Sequence, residues 1–222
     1  MGSNDLFHKR KAKQARDLAR KKARRASYAK VLIVCEGEKT EPNYFNELKD
    51  HLSLNSANIE ITGDCGSSPI SIVDHAIQCY KAEKTCGDTY DKVFCVFDKD
   101  SHETYHNALQ KIEDTKPKDT FCAITSVPCF EYWLLLHFIY TTAQYQRAGN
   151  RSACDLLIRE LHNYLPGYQK GDGSTFEQLV DQLQQAKIFA ARALNDAGAN
   201  QDDNPSTKVH ELVNYLENIK DQ

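Results

Sequence analysis

Four short runs of apolar and β-branched residues, each followed by a helical pattern, constrain the fold of this chain most strongly. The runs cover residues 31–35, 59–62, 92–97 and 121–125. Short runs of this kind are typical of strands that are covered on both faces. Strands that alternate with helices form a parallel sheet with right-handed crossovers. The sequence therefore predicts an α/β fold, with a parallel sheet of about four strands and helices on both faces.

The helical patterns fall between and after these runs. Thr40 caps the first predicted helix, Ser67 or Ser68 opens the second, and the third runs from about His102 to Asp114. We expect an apolar helix from Pro128 to about Tyr140, and then helices near 151–164, 174–197 and 205–219 with no further strand. This divides the chain into an α/β core at 30–141 and a helical region at 142–222 that packs on it.

The charge is distributed unevenly along the chain. The net charge is −3, but residues 1–30 hold 11 Lys and Arg against two Asp, whereas the remainder holds 17 basic and 29 acidic residues. A basic arm at 1–29 on an acidic body predicts a polyanionic partner such as nucleic acid. The alternative is a solvated or autoinhibitory tail that docks on the acidic body. Because residues 8–28 lack a clear apolar face, we expect a helix there only when the arm is bound.

The arm supplies most of the predicted nucleic-acid contacts. These are Lys9, Arg10, Lys11, Arg20, Lys21, Lys22, Arg24 and Arg25.

The composition also excludes some classes of protein. The longest apolar run, at 132–140, is far shorter than the ~20 residues that a bilayer-spanning helix requires. The basic N-terminus is not followed by an apolar stretch, so we expect no secretory signal. None of the eight cysteines forms the Cys-x-x-Cys motif that is usual in zinc sites and redox centres. Cys35, Cys95 and Cys122 lie in predicted strands, where a free cysteine behaves as a small buried apolar residue, and a reducing, cytoplasmic compartment is the simplest interpretation.

Acidic residues follow two of the predicted strands. Glu36 and Gly37 follow the first strand, and Asp98 and Asp100 follow the third. If these strands are neighbours, their carboxylates converge at one edge of the sheet, where α/β proteins form their sites. Crowded carboxylates need a cation, and hard oxygen ligands suit Mg²⁺ or Mn²⁺. The alternative is that each acid is an ordinary loop residue that caps a helix.

Four blocks of sequence carry a family resemblance: VCEGEKTEPNYF at 34–45, VFDKD at 96–100, PCFEYWLLLHF at 128–138 and NPSTKVH at 204–210. In this order they resemble the RloB-like family. The strand-Glu-Gly and strand-Asp-x-Asp pair is similar to the Toprim domain of topoisomerases, primases and OLD-type nucleases. The resemblance implies a Toprim-like fold, a divalent metal site and a role in bacterial defence against phage. It also implies an ABC-type ATPase partner. Some related Toprim defence nucleases cleave transfer RNA, so the resemblance makes transfer RNA one possible substrate.

The same resemblance assigns roles to individual residues. Glu36 matches the Toprim general acid or base, and Asp98 and Asp100 match the metal-binding pair. Lys39 either places its charge on a phosphate or is a solvated loop residue. Glu41 is either a further metal ligand or a helix N-terminal acid that interacts favourably with the helix dipole.

Three other residues have two interpretations each. Glu131 is either a fourth acid of the site or the partner of a structural arginine such as Arg192. His137 lies in an apolar segment and is expected to be a core histidine. Asn204 to Lys208 reads as a helix start, so Lys208 is either a phosphate contact or part of ordinary capping.

Two hypotheses of function follow from this pattern. The first is a metal-dependent endonuclease. The second is a non-catalytic module that binds nucleic acid and scaffolds a defence ATPase. Nucleotidyl transfer ranks last because the chain shows no zinc-binding or primase domain. The chain lacks a Walker loop, so an ATPase partner must be a separate protein.

Overall fold

A computed structural model describes residues 3–100 and 102–221 of the chain, and the side chains of residues 3–7 and 9 lie outside that description. The strands are β1 Val31–Cys35, β2 Ile59–Thr62, β3 Lys92–Asp98, β4 Phe121–Val127 and β5 Ser206–Thr207. The helices are α1 Ser3–Ala23, α2 Thr40–His51, α3 Pro69–Thr85, α4 Tyr105–Asp114, α5 Glu131–Leu135, α6 Ala153–Leu161, α7 Thr175–Leu179, α8 Leu183–Asn200 and α9 Val209–Glu217.

The strands form one mostly parallel sheet in the order β2-β1-β3-β4-β5. In the register of the central pair, Val31 lies beside Lys92 and Cys35 lies beside Val96. The predicted α/β fold is therefore confirmed. Because β1 and β3 are neighbours, the residues that follow them meet at the same edge of the sheet.

Each face of the sheet packs into its own hydrophobic core. Val31, Ile33 and Cys35 point to one side, where they join residues of α2, α5, α8 and α9. Leu32 and Val34 point to the other side, against α3 and α4. Alternate side chains of one strand are buried on both faces, as expected where helices cover both sides of a parallel sheet.

The fifth strand was not predicted from the sequence. Ser206–Thr207 pairs antiparallel with the end of β4, and the backbone N–H of Lys208 donates to the carbonyl of Thr125 at 2.9 Å. Helix α9 begins only at Val209, so the expectation of a helix start at 204–208 is wrong. A two-residue strand carries no periodicity that a sequence pattern reveals, because its pairing depends on a partner about 80 residues away.

The helix expected at Pro128 to Tyr140 is also shorter than predicted. Helix α5 covers only Glu131–Leu135, and all five residues are buried. The apolar run at 132–140 therefore reflects a short helix that is buried on all sides, and not a long helix with one apolar face. His137 is buried as expected, and burial lowers its pKa to about 4.

The basic arm is a helix whose end docks on the body. Helix α1 extends over Ser3–Ala23, although the sequence favoured a helix only in the bound state. Leu18 lies against Gly87, the guanidinium of Arg25 pairs with Asp88, and Lys21 Nζ lies 3.6 Å from Glu83. The tail-docking alternative therefore describes this end of the arm.

Two of the cysteines are joined. Cys129 and Cys154 form a disulfide that the sequence did not predict, whereas Cys35, Cys95 and Cys122 are free thiols as expected. A missing Cys-x-x-Cys motif does not exclude pairing between residues 25 apart. Within the described residues, no helix combines the length and apolar character needed to cross a membrane.

We predict that Lys30→Met lowers the free energy of unfolding by about 2–3 kcal/mol, because it removes the main partner of a buried carboxylate. Lys30 is buried, and its Nζ lies 2.9 Å from Asp88 and 2.6 Å from Glu83. Urea unfolding measures the change.

The matched control is Lys111→Met, which breaks an ion pair with Asp74 at the surface. The two side chains are 40% and 46% exposed, so we expect a loss below about 1 kcal/mol. Equal losses in the two variants would contradict a stabilising role for the buried network.

Candidate metal and acid-base site

The site is built first from the ends of two neighbouring strands. Glu36 directly follows β1, and Asp98 is the last residue of β3. The backbone N–H of Asp98 donates to Glu36 Oε2 at 2.9 Å, which joins the two strand ends. The expected convergence of these acids is therefore present in the structure.

Two further acids complete a group that we call the carboxylate cluster, namely Glu36, Glu41, Asp98 and Glu131. Glu41 lies in the first turn of α2 and is 7% exposed, and Glu131 begins α5 and is 1% exposed. A Cβ atom added at Gly37 would lie 3.0 Å from Glu41 Oε2, so the glycine leaves room for this carboxylate. Sequence reasoning named all four residues, but only the tertiary structure brings α2 and α5 to this edge.

Burial and repulsion from neighbouring acids raise the pKa of three members of the cluster. Burial raises the pKa of Glu41 to about 7, and repulsion from Glu131 and Glu36 adds to this effect. Burial also raises the pKa of Asp98 well above its usual range, with further repulsion from Glu41, Glu131 and Glu36. Burial raises the pKa of Glu36 as well, although the N–H of Asp98 and the ring of His102 oppose the shift.

Glu131 has a cationic partner that sequence reasoning missed. Lys170 Nζ lies 3.2 Å from Glu131 Oε1, and the hydroxyl of Tyr168 donates to the same oxygen at 3.0 Å. Burial lowers the pKa of Lys170, but its attraction to Glu131, Asp98 and Glu41 outweighs this and leaves the pKa raised. The alternative partner, Arg192, instead lies over the ring of Tyr140 at 4.2 Å.

The loop that carries Tyr168 and Lys170 is tied to the start of α2. The backbone N–H of Gly171 donates to Thr40 Oγ1 at 3.0 Å, and the side chain of Asn43 donates to the carbonyl of Gly171 at 3.0 Å. Gly171 has φ +84, which favours glycine. The sequence indicates only that a buried Glu131 needs a cationic partner. It does not indicate which lysine or arginine is that partner, so Lys170 could not be identified from the sequence.

His102 is a second functional candidate that was missed. Its Nε2 atom lies 3.2 Å from Glu36 Oε1. Glu36 therefore contacts a backbone donor with one oxygen and an imidazole with the other. The residue stands just beyond the Asp98-Lys99-Asp100 motif, where the sequence suggested only the start of a helix.

Asp100 and Lys39 lie at the periphery of the cluster. Asp100 is exposed, its N–H donates to the carbonyl of Pro128 at 3.1 Å, and its charge contributes to the raised pKa of Glu36. Lys39 precedes α2 and is exposed, and its stem runs beside Gly171. Both residues therefore border the site, with their charged groups toward solvent.

The predicted nucleic-acid contacts divide into three groups. The first group is exposed on the arm and consists of Arg10, Lys11, Arg20, Lys21, Lys22 and Arg24. The side chain of Lys9 lies outside the described residues. Arg25 is largely buried by its pair with Asp88. Lys208 follows β5, its N–H donates to the carbonyl of Thr125, and its charge acts on Cys122 near the start of β4.

The chemistry of the cluster fits a hard divalent cation. Glu36, Glu41 and Asp98 offer carboxylate oxygens, the donors that Mg²⁺ and Mn²⁺ prefer, and each has a raised pKa that a cation would lower. Among the described residues, only Cys129, Glu131 and Cys154 form a group of three with ligand atoms within 4.8 Å of one another. Within the same described residues, the oxygens of Glu36, Glu41 and Asp98 do not form such a group.

We predict that, in a chelator, stability falls as the pH rises from about 5 to about 8. The pKa of Glu41 is near 7 in the folded chain against an ordinary value of 4.5, so the folded state binds more protons in this range. Glu41→Gln should remove about 2 kcal/mol of this loss, measured by urea unfolding at each pH.

Glu113→Gln, on the exposed end of α4, serves as the control and should keep the wild-type pH dependence. An identical pH profile for wild type and Glu41→Gln would show that the cluster does not hold Glu41 in an unfavourable charged state.

Comparison with protein-family models supports the resemblance that the four sequence blocks carry. No curated protein and no solved structure matches the chain. The family described as RloB-like protein matches residues 31–216, which include the whole sheet and every member of the carboxylate cluster. The chain belongs to the RloB-like family.

Proposed function

We propose that this protein is a divalent-metal-dependent nuclease. The observation that carries the proposal is the carboxylate cluster at the carboxyl ends of β1 and β3, where burial and mutual repulsion raise the pKa of Glu36, Glu41 and Asp98. Buried acids with shifted pKa values at the edge of a parallel sheet are typical of active sites.

Glu36 is the proposed general acid or base. Its raised pKa brings it closer to neutral pH, where a carboxyl group exchanges protons most effectively. His102 at 3.2 Å and the N–H of Asp98 at 2.9 Å fix the two oxygens of the carboxylate. In this role Glu36 takes a proton from an attacking water or returns one to the leaving oxygen of a phosphodiester.

Asp98 and Glu41 are the proposed holders of Mg²⁺ or Mn²⁺, with Asp100 at the exposed side. A bound divalent ion would neutralise the phosphate and lower the pKa of a water. Glu131 pairs with Lys170 and accepts a hydrogen bond from Tyr168, so we do not assign it to the Mg²⁺ or Mn²⁺ ion. Its role is to add negative charge beside the site and to fix the loop at 167–173.

The basic arm is the proposed contact for the nucleic acid. Exposed cations recur along α1, and the body to which it is attached carries the excess of acid. Phosphates of the substrate would pair with the arm and the exposed Lys39, while a bound cation overcomes the repulsion from the cluster.

Family membership supports a wider setting for this activity. The resemblance of the motifs to Toprim defence nucleases favours an effector role against phage in the bacterial cytoplasm, with transfer RNA as one candidate substrate. It also favours a separate ABC-type ATPase that controls the nuclease.

We predict that the purified chain cleaves transfer RNA, single-stranded DNA or duplex DNA with Mg²⁺ or Mn²⁺ but not with EDTA. Glu36→Gln and Asp98→Asn should each lower the cleavage rate at least about 100-fold, since each removes a group that acts on the reacting phosphate. Gel assays of end-labelled substrates measure the rate, and filter binding measures retained affinity.

Asp114→Asn, at the exposed end of α4, is the matched control and should cleave at the wild-type rate. Cleavage that survives Asp98→Asn would contradict the proposal. If neither the chain alone nor the chain with its ATPase cleaves, while nucleic acid is still bound, the protein is a scaffold rather than a nuclease.

We predict a second effect for the arm. Replacing Arg20 and Lys22 with Gln should weaken nucleic-acid binding and reduce the slope of log affinity against log salt by up to about 2. Fluorescence anisotropy at several salt concentrations measures both quantities.

The matched control changes Lys116 and Lys118, two exposed lysines after α4, to Gln. This variant removes the same charge from another surface and should keep the wild-type salt slope. Equal slopes for all three proteins would place the phosphate contacts elsewhere.

A further inference from the structure

The disulfide lies directly beside the carboxylate cluster. Cys154 Sγ lies 3.4 Å from Glu131 Oε2 and 3.4 Å from Lys170 Nζ. The two sulfurs and a Glu131 oxygen all lie within 4.8 Å of one another, and all three residues are buried. No step of the proposed nuclease uses these sulfurs.

We infer that the reduced form of this protein binds a zinc ion through Cys129, Cys154 and Glu131. Two thiolates and a carboxylate are a soft, three-ligand set that suits Zn²⁺ and leaves a fourth position for water. The Cα atoms of the two cysteines are 5.9 Å apart, so rotation of the side chains is enough to let both sulfurs reach one ion. Zinc then replaces the disulfide as the link between residue 129 and α6.

The charges around this site balance. A Zn²⁺ ion with two thiolates and one carboxylate has a net charge of −1, and the ammonium of Lys170 lies in contact with both Cys154 and Glu131. The side chain of Lys170 is 55% exposed, so solvent borders the buried ligands that this lysine contacts. Mg²⁺ is a poor competitor here because it prefers oxygen donors.

Conversion of the disulfide form into the zinc-bound form requires a reductant and releases protons. A dithiol reductant converts the disulfide into two thiols and is itself oxidised to a disulfide. Binding of Zn²⁺ then releases one proton from each thiol. The site goes beyond the proposed nuclease activity and requires no cleavage to detect.

The test is a titration of the full chain with Co²⁺ as a probe, in its reduced and in its disulfide form. The reduced wild type should develop a thiolate-to-cobalt charge-transfer absorption that saturates at one ion per chain and disappears when Zn²⁺ is added. The disulfide form should show none. Absence of this absorption from the reduced chain would overturn the inference.

Variants identify the ligands. Cys129→Ser and Cys154→Ser should each lose one-to-one binding. Glu131→Gln keeps both thiols and should retain the absorption with an affinity weakened at least about ten-fold. Cys86→Ser changes an exposed free cysteine and should bind as wild type does.

Circular dichroism of each variant confirms that the fold is retained. Loss of binding in Cys86→Ser, or wild-type binding in folded Cys154→Ser, would assign the metal to other thiols and overturn the inference.

Discussion

Mutual repulsion among four carboxylates at one edge of the sheet is the constraint on which the rest of this structure depends. Glu36, Glu41, Asp98 and Glu131 come from four different parts of the chain, and burial raises the pKa of Glu36, Glu41 and Asp98. Lys170 is held beside Glu131 by a loop that is itself tied to α2. The ammonium of Lys170 pairs with Glu131, and its charge also acts on Asp98 and Glu41.

The opposite charge is concentrated on the arm, and the two ends of the arm differ. Near the body, Arg25 and Lys30 satisfy the buried carboxylate of Asp88. Farther along α1, the described basic side chains are exposed, and Lys21 lies 3.6 Å from Glu83. The arm is therefore anchored by a few ion pairs at its base, while its described basic side chains farther along α1 are exposed to solvent.

Several features were predictable because they depend on short-range patterns. The four apolar runs correspond to β1, β2, β3 and β4. Glu36 and Asp98 lie at the ends of β1 and β3, as their positions after the first and third runs predict. The expectation of no further strand was wrong because of β5, the predicted length of α5 was wrong, and the Cys129–Cys154 pair was not predicted. Each of these depends on contact between distant segments, and such contacts leave no periodic signal in either segment.

The sequence by itself determined the α/β alternation, the basic arm and the identity of the acids, because hydrophobic periodicity and charge are local properties. Only the tertiary structure decided that β1 and β3 are neighbours and that α2 and α5 bring Glu41 and Glu131 to the same edge. It also decided that Lys170, rather than Arg192, meets Glu131. The physical reason is that a buried charge requires a partner, but packing alone selects which distant residue supplies it.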